Sequence, residues 1–124
     1  MRILISGIDG YIGWALALKQ LSLGNDVCGI DNFSRRSHVK EMDSWSAIPI
    51  LSMDERMKNL KEKYGEKISF FEGDLLDAQF TNEIIKNFRP EAVVHLAEQP
   101  SAPFSMIDQK HTVYTQQNLS LIHI

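Results

Sequence analysis

The sequence predicts an α/β fold built as a doubly wound parallel sheet, and three observations carry that prediction. Short apolar runs alternate with amphipathic stretches along the chain, the order that places helices between parallel strands. The first run, Arg2-Ile3-Leu4-Ile5-Ser6, breaks into Gly7-Ile8-Asp9-Gly10-Tyr11-Ile12-Gly13 and leads straight into a helical pattern. The second, Asp26-Val27-Cys28-Gly29-Ile30, stops at an acid, Asp31.

Each element follows from its residues. The first helix is expected from about Tyr11 to Leu23, burying Ile12, Ala15, Leu16 and Leu23, with Gly24-Asn25 as its stop. Asn32 to Val39 reads as a polar stretch, and the segment from there through Pro49 as irregular. Ser52-Met53-Asp54-Glu55 has the S-x-x-E form of a capping box, in which the serine and glutamate satisfy each other's free backbone N–H groups. That helix should end near Tyr64, with Lys58, Lys61 and Lys63 toward its negative pole and Gly65 as the stop. Ile68 to Glu72 is the third strand, running into Gly73-Asp74-Leu75-Leu76-Asp77. A helix over about Ala78 to Phe88 places Phe80, Ile84, Ile85 and Phe88 on one face, and Arg89-Pro90 closes it. Ala92 to Ala97 is the fourth strand, apolar as in a strand covered on both faces, and a further helix begins near Lys110.

Right-handed crossovers then give the strand order 3-2-1-4, with a ligand crevice where the order reverses, between strands 1 and 4. This is a Rossmann-type doubly wound parallel sheet, incomplete at four strands. Residues 1–118 read as the N-terminal portion of a larger domain, and a strand 4 left as an apolar edge would invite aggregation. The chain has 124 residues, room for one domain at most, and its 44% hydrophobic content can supply a core. A net charge of −3 gives no reason to invoke nucleic acid or an anionic membrane. Cys28, the single cysteine, lies inside an apolar strand and reads as a buried reduced thiol. No apolar run approaches about 18 residues, and the glycines interrupt the N-terminal run too early for a signal peptide. A cytoplasmic protein is expected, or one processed into a reducing compartment such as a plastid stroma.

The glycines and Asp31 supply the chemistry. Gly7 permits the tight turn off the strand, Gly10 lets backbone approach a phosphate, and Gly13 lets the helix lie close to the strands. Free N–H groups at the helix start, aided by its dipole, favour a pyrophosphate. Tyr11 and Ile12 belong to the same turn. Asp31 follows Gly13 by 18 positions, where a carboxylate accepts the ribose hydroxyls of a dinucleotide; the bland alternative is a solvated strand end. Three glycines alone are a weak signal, and only the strand before, the helix after and the acid beyond make it specific. Arg35 and Arg36 offer a different ligand, the 2′-phosphate of NADP. A carboxylate about 4 Å from that phosphate repels it by roughly 1–4 kcal/mol per unit charge. Asp31 holds the ribose position and the arginines lie further along, so NAD is the expected cofactor.

The remaining candidates lie near the ends of strands 3 and 4. Asp74-Leu75 ends strand 3 beside the cleft, or is a loop acid or helix cap. Leu96 and Ala97 should pass near the nicotinamide half of the cofactor. His95 reads as a satisfied core histidine, and His38, His111 and His123 have no partners at metal-ligand spacing, so no metal is expected. Glu98 and Gln99 open the loop over the crevice; Ser101 and Ser105 offer hydroxyls to a sugar or diphosphate, although the nearby prolines could merely shape a loop.

From Met1 to about Asn118 the chain resembles the extended short-chain dehydrogenase/reductase superfamily, in its nucleotide-sugar branch. The G-x-x-G-x-x-G spacing carries the broad likeness. Closer likeness, to the sulfoquinovose-forming members, rests on Asp31-Asn32-Phe33-Ser34-Arg35-Arg36, on Pro49 through Arg56, on Glu72-Gly73-Asp74-Leu75, and most of all on Glu98 through Asp108. Sugar epimerases and dehydratases usually continue His-Leu-Ala-Ala, whereas this chain reads His95-Leu96-Ala97-Glu98-Gln99. The resemblance implies tightly held NAD, UDP-glucose and sulfite as substrates, and a homodimer. It implies adenosine contacts from Asn32, Arg35, Arg36, Asp74 and Leu75, nicotinamide-side contacts from Leu96, Ala97 and Glu98, and an asparagine near sugar and cofactor at Asn118. Substrate contacts would come from Gln99, Ser101 and Ser105. The superfamily's Tyr-x-x-x-Lys is absent: Tyr11, Tyr64 and Tyr114 are followed four positions on by Ala15, Ile68 and Asn118. No catalytic residue is therefore expected in this chain; the threonine, tyrosine and lysine should lie beyond it. The tail 119–124 departs from the superfamily and looks like a truncation or read-through. Rival readings are another nucleotide-sugar epimerase or dehydratase, and a non-catalytic dinucleotide-sensing module.

Overall fold

A computed structural model describes residues 1–98 and 102–121, with side chains to be read for all of these except residue 102 and residues 116–121. Four parallel strands, β1 (Arg2–Ser6), β2 (Asp26–Asp31), β3 (Ile68–Glu72) and β4 (Ala92–His95), form one sheet in the order β3-β2-β1-β4. The predicted order is the observed one. Helices α1 (Tyr11–Ser22), α2 (Ser34–Glu41), α3 (Met53–Tyr64), α4 (Ala78–Phe88), α5 (Ala102–Ile107) and α6 (Gln109–Leu121) complete the chain, with a 3₁₀ turn at Gly65–Lys67.

Strand alternation splits the core into two layers. On one face Ile3, Ile5, Val27 and Ile68 pack with Ala17 and Leu21 of α1 and with Met53 and Leu60 of α3. On the other, Leu4, Cys28 and Ile30 meet Leu75 and Ile84. Cys28 is fully buried, and that burial pushes its thiol above the usual range.

The structure corrects several local expectations. The buried residues of α1 are Gly13, Ala17 and Leu21, whereas Ile12 (52%) and Leu23 (61%) are exposed. The close approach of Gly13 to the β1 turn fixes which face meets the sheet, and four-residue spacing selects the rest. The polar stretch after Asp31 is helical, as α2. A second helix missed, α5, holds Pro103 in its first turn, where a proline costs no helical hydrogen bond. β4 ends at His95 rather than Ala97 because its pairing with β1 stops at Ser6, where β1 turns away. It is apolar but not covered on both sides: among the described residues β4 is an edge, with Val93 55% exposed. On α4 the buried pair is Thr81 and Ile84, and Ile85 faces solvent. The capping box forms as expected, with Ser52 Oγ accepting from Glu55 N at 3.3 Å and Ser52 N donating to Glu55 Oε2 at 3.0 Å.

Candidate dinucleotide-binding cleft

The turn after β1 is built from its glycines. Gly7 adopts φ +76°, and a Cβ there would lie 2.7 Å from the Leu96 carbonyl. Its N–H donates to Ile30 O (2.8 Å), and Leu96 N donates to Ser6 O (3.0 Å), so strands 1, 2 and 4 converge at this point. At Gly13 a Cβ would stand 2.2 Å from Gly7 O, which only glycine avoids. Helix α1 starts from Gly10 with no side-chain cap on its first N–H groups, and Gly10, Tyr11, Ile12 and Gly13 at this start line the cleft.

Asp31 is part-buried at the end of β2. Its Oδ2 accepts from Asp9 N (2.8 Å) and its Oδ1 from Phe33 N (2.9 Å). Burial raises its carboxyl above the ordinary value, and those two N–H groups offset only part of the rise. Asp74 Oδ1 accepts from Leu76 N (2.9 Å), and Asn32 Nδ2 lies 3.5 Å from Asp74 Oδ2. The cap of α4 is Asp77, bonded to Phe80 N at 3.1 Å, which leaves Asp74 on the cleft wall.

A cleft of about 210 Å³ collects these groups. Its wall includes Gly7, Gly10, Tyr11, Ile12, Gly13, Asp31, Asn32, Arg35, Asp74, Leu75, Leu96, Ala97 and Glu98, all singled out from the sequence. Ser34, His111 and Thr115 line it too and were missed; only the i, i+4 spacing of the last two on α6 hinted at a shared face. Arg36 does not line it. Its guanidinium instead grips Asp9, with Nη2 2.7 Å from Oδ1, and also donates to Leu51 O (2.9 Å). Ser105 lies half-buried on α5, off the cleft wall. Asn118 falls on the α6 backbone with its side chain outside the described residues, as are Gln99 and Ser101.

His95 is held at both nitrogens, Nδ1 2.6 Å from Ser6 Oγ and Nε2 2.9 Å from Glu98 Oε1. Ser6 is buried beneath it, so the trio anchors Glu98 to the sheet. Among the described residues no group of three His, Cys, Asp or Glu could hold a metal, and no helix is long and apolar enough to cross a membrane.

An open helix start, glycines where backbone must come close, and a carboxylate one strand away fit a diphosphate joined to a ribose. Comparison with known proteins agrees. The sequence pattern of the NAD dependent epimerase/dehydratase family matches residues 3–122. The UDP-sulfoquinovose synthase of Sulfolobus acidocaldarius is 47% identical over 95% of this chain, which spans 30% of that protein. The chloroplastic UDP-sulfoquinovose synthase of Spinacia oleracea is 43% identical over 94% of the chain, covering 24% of its own length. Among solved structures, the Bordetella bronchiseptica enzyme WbmH in complex with NAD+ superposes with a TM-score of 0.61 at 28% identity, over 94% of this chain and 31% of that one. The chain thus spans less than a third of each of these relatives.

Proposed function

The chain belongs to the NAD-dependent epimerase/dehydratase family, and we propose that it is the N-terminal NAD-binding part of an enzyme of the UDP-sulfoquinovose synthase type. The observation that carries this is the convergence of Gly7, Gly10, Gly13 and Asp31 on one cleft at the sheet's switch point. The two sulfoquinovose synthases are its support for the finer reading.

The N–H groups at the start of α1 and Gly10 hold the pyrophosphate, and Asp31 the adenosine ribose. Asn32, Arg35, Asp74 and Leu75 flank the adenosine, while Leu96, Ala97 and Glu98 border the nicotinamide half. Gln99, Ser101 and Ser105 are assigned to the substrate, and Asn118 to the region between sugar and cofactor. When bound, NAD supplies reversible hydride transfer at C4 of the glucose. The resulting ketone would acidify the C5 hydrogen, water would leave across C5 and C6, sulfite would add at C6, and return of the hydride to C4 would give UDP-sulfoquinovose with the cofactor oxidised again. The proton-transferring threonine and Tyr-x-x-x-Lys come from sequence outside these 124 residues, in a homodimeric protein of the cytoplasm or a plastid stroma.

Calorimetric titration of the chain with NAD tests the first half: saturable one-to-one binding is expected, and its absence defeats the reading. Incubation of the chain with NAD, UDP-glucose and sulfite should yield no product, since the catalytic groups are elsewhere. In a protein extended by its downstream sequence, sulfosugar should form only when sulfite is supplied; product without sulfite would favour an epimerase or dehydratase.

A further inference from the structure

We propose that Asp9 sets which dinucleotide the cleft accepts, by holding the Arg36 guanidinium away from any 2′-phosphate. The inference rests on the NAD-binding reading and adds a specificity residue to it. Asp9 sits in the glycine turn, and its N–H donates to Asp31 Oδ2 at 2.8 Å, one hydrogen bond from the carboxylate assigned to the ribose. Its own carboxylate is only 6% exposed and lies between two guanidinium groups. Arg36 meets it side-on through Nε and Nη2, at 2.5 and 2.7 Å, and Arg56 Nη1 reaches it at 3.2 Å. Arg56 is fixed in turn by Trp14, its guanidinium carbon 4.6 Å from the ring centre.

A 2′-phosphate is recognised best by a planar guanidinium whose two parallel N–H groups are free to form a bidentate pair. Arg36 feels the charge of Asp31 as well as that of Asp9, so it stands within electrostatic reach of the ribose edge. Asp9 fills its side-on edge, and Nη2 also donates to Leu51 O at 2.9 Å, so neither edge keeps a free parallel pair. To recruit Arg36, a phosphate must pull it off a buried carboxylate and leave that carboxylate to Arg56 alone, an expensive exchange. Asp31 repels the phosphate, and Asp9 removes the cation that could offset the repulsion. Arg35 lines the cleft on an exposed side chain, where solvent weakens its pull.

The test is the ratio of NADP to NAD dissociation constants for the full chain by calorimetry. Asp9→Asn keeps the shape and removes the charge, and should shift the ratio toward NADP by roughly tenfold or more. Adding Arg36→Met to that variant should return the ratio to its starting value. A ratio unmoved in Asp9→Asn, or a shift that survives in the double variant, overturns the proposal. A measurement on the wild-type chain stands independently of whether the variants fold: the Arg36 Nε–H resonance should keep its Asp9-bound position when NADP is added, and its displacement by NADP overturns the proposal. A wild-type chain that binds neither dinucleotide defeats the NAD-binding reading itself, whereas normal NAD binding with an unmoved ratio defeats only the role of Asp9.

Discussion

Gly10 and Gly13 lie three residues apart in one turn, yet a methyl group has different consequences at each. At Gly13 it would press into Gly7 O and, at 2.8 Å, Ile8 Cα, so backbone must move. At Gly10 its nearest neighbour is 3.3 Å away, a contact the turn can relax, but the methyl stands on the cleft wall. Gly13→Ala should therefore cost about 1–3 kcal/mol or more in denaturant unfolding. Gly10→Ala should unfold within about 1 kcal/mol of wild type while losing NAD affinity roughly tenfold. Equal losses of stability would contradict the geometry. Asp31 joins fold and function through its charge. Burial raises its carboxyl above the ordinary 3.8, so the folded chain holds that proton more tightly than the unfolded one. The group thus stabilises the fold below its ordinary range, and that contribution is lost as pH rises through the raised value. The ribose contact proposed for Asp31 needs the carboxylate and runs the other way. NAD affinity should begin to fall on acidification above the pH where an ordinary aspartate titrates, with no loss of stability contributed by Asp31. Calorimetry at descending pH against thermal midpoints checks this; affinity flat down to about pH 4 would refute it.

The start of α3 is the element most completely written in its local sequence. Ser52 and Glu55 satisfy each other's backbone N–H groups, and the Ser52 hydroxyl and N–H hold the exposed Glu55 carboxyl below its usual range. Ser52→Ala should destabilise the chain by about 0.5–2 kcal/mol, read as a lowered thermal midpoint with unchanged NAD affinity. Helix α2 is the opposite case. Val39 is its single apolar residue, so no apolar period announces it. Asn32 Oδ1 accepts from Ser34 N (3.0 Å), Phe33 turns through a left-handed φ of +58°, and the helix is then held from outside. Arg36 is tied to Asp9, and the His38 ring stacks 3.7 Å from that of Phe104 on α5. None of those partners is within ten positions in the chain. For α1 the period was legible but the face was not, because the packing of Gly13 against the turn decides it.

Across the whole molecule, the sheet brings residues from four loops to one cleft. The strand order and the gathering of the glycines, Asp31, Asp74 and Glu98 were readable beforehand, since apolar runs, glycine turns and strand-ending acids are local signals and crossover handedness leaves few topologies. The sequence by itself determined the parallel order, the dinucleotide fingerprint and the capped third helix. Only the tertiary structure decided which cation serves which acid. Arg36 and Asp9 are 27 positions apart, and either arginine of the pair could have been assigned to the ligand. Folding α2 and α3 back over the glycine turn closes that distance and commits Arg36 to a buried carboxylate. A charged side chain takes its partner from three-dimensional proximity and burial, and neither is encoded in the spacing of residues along the chain.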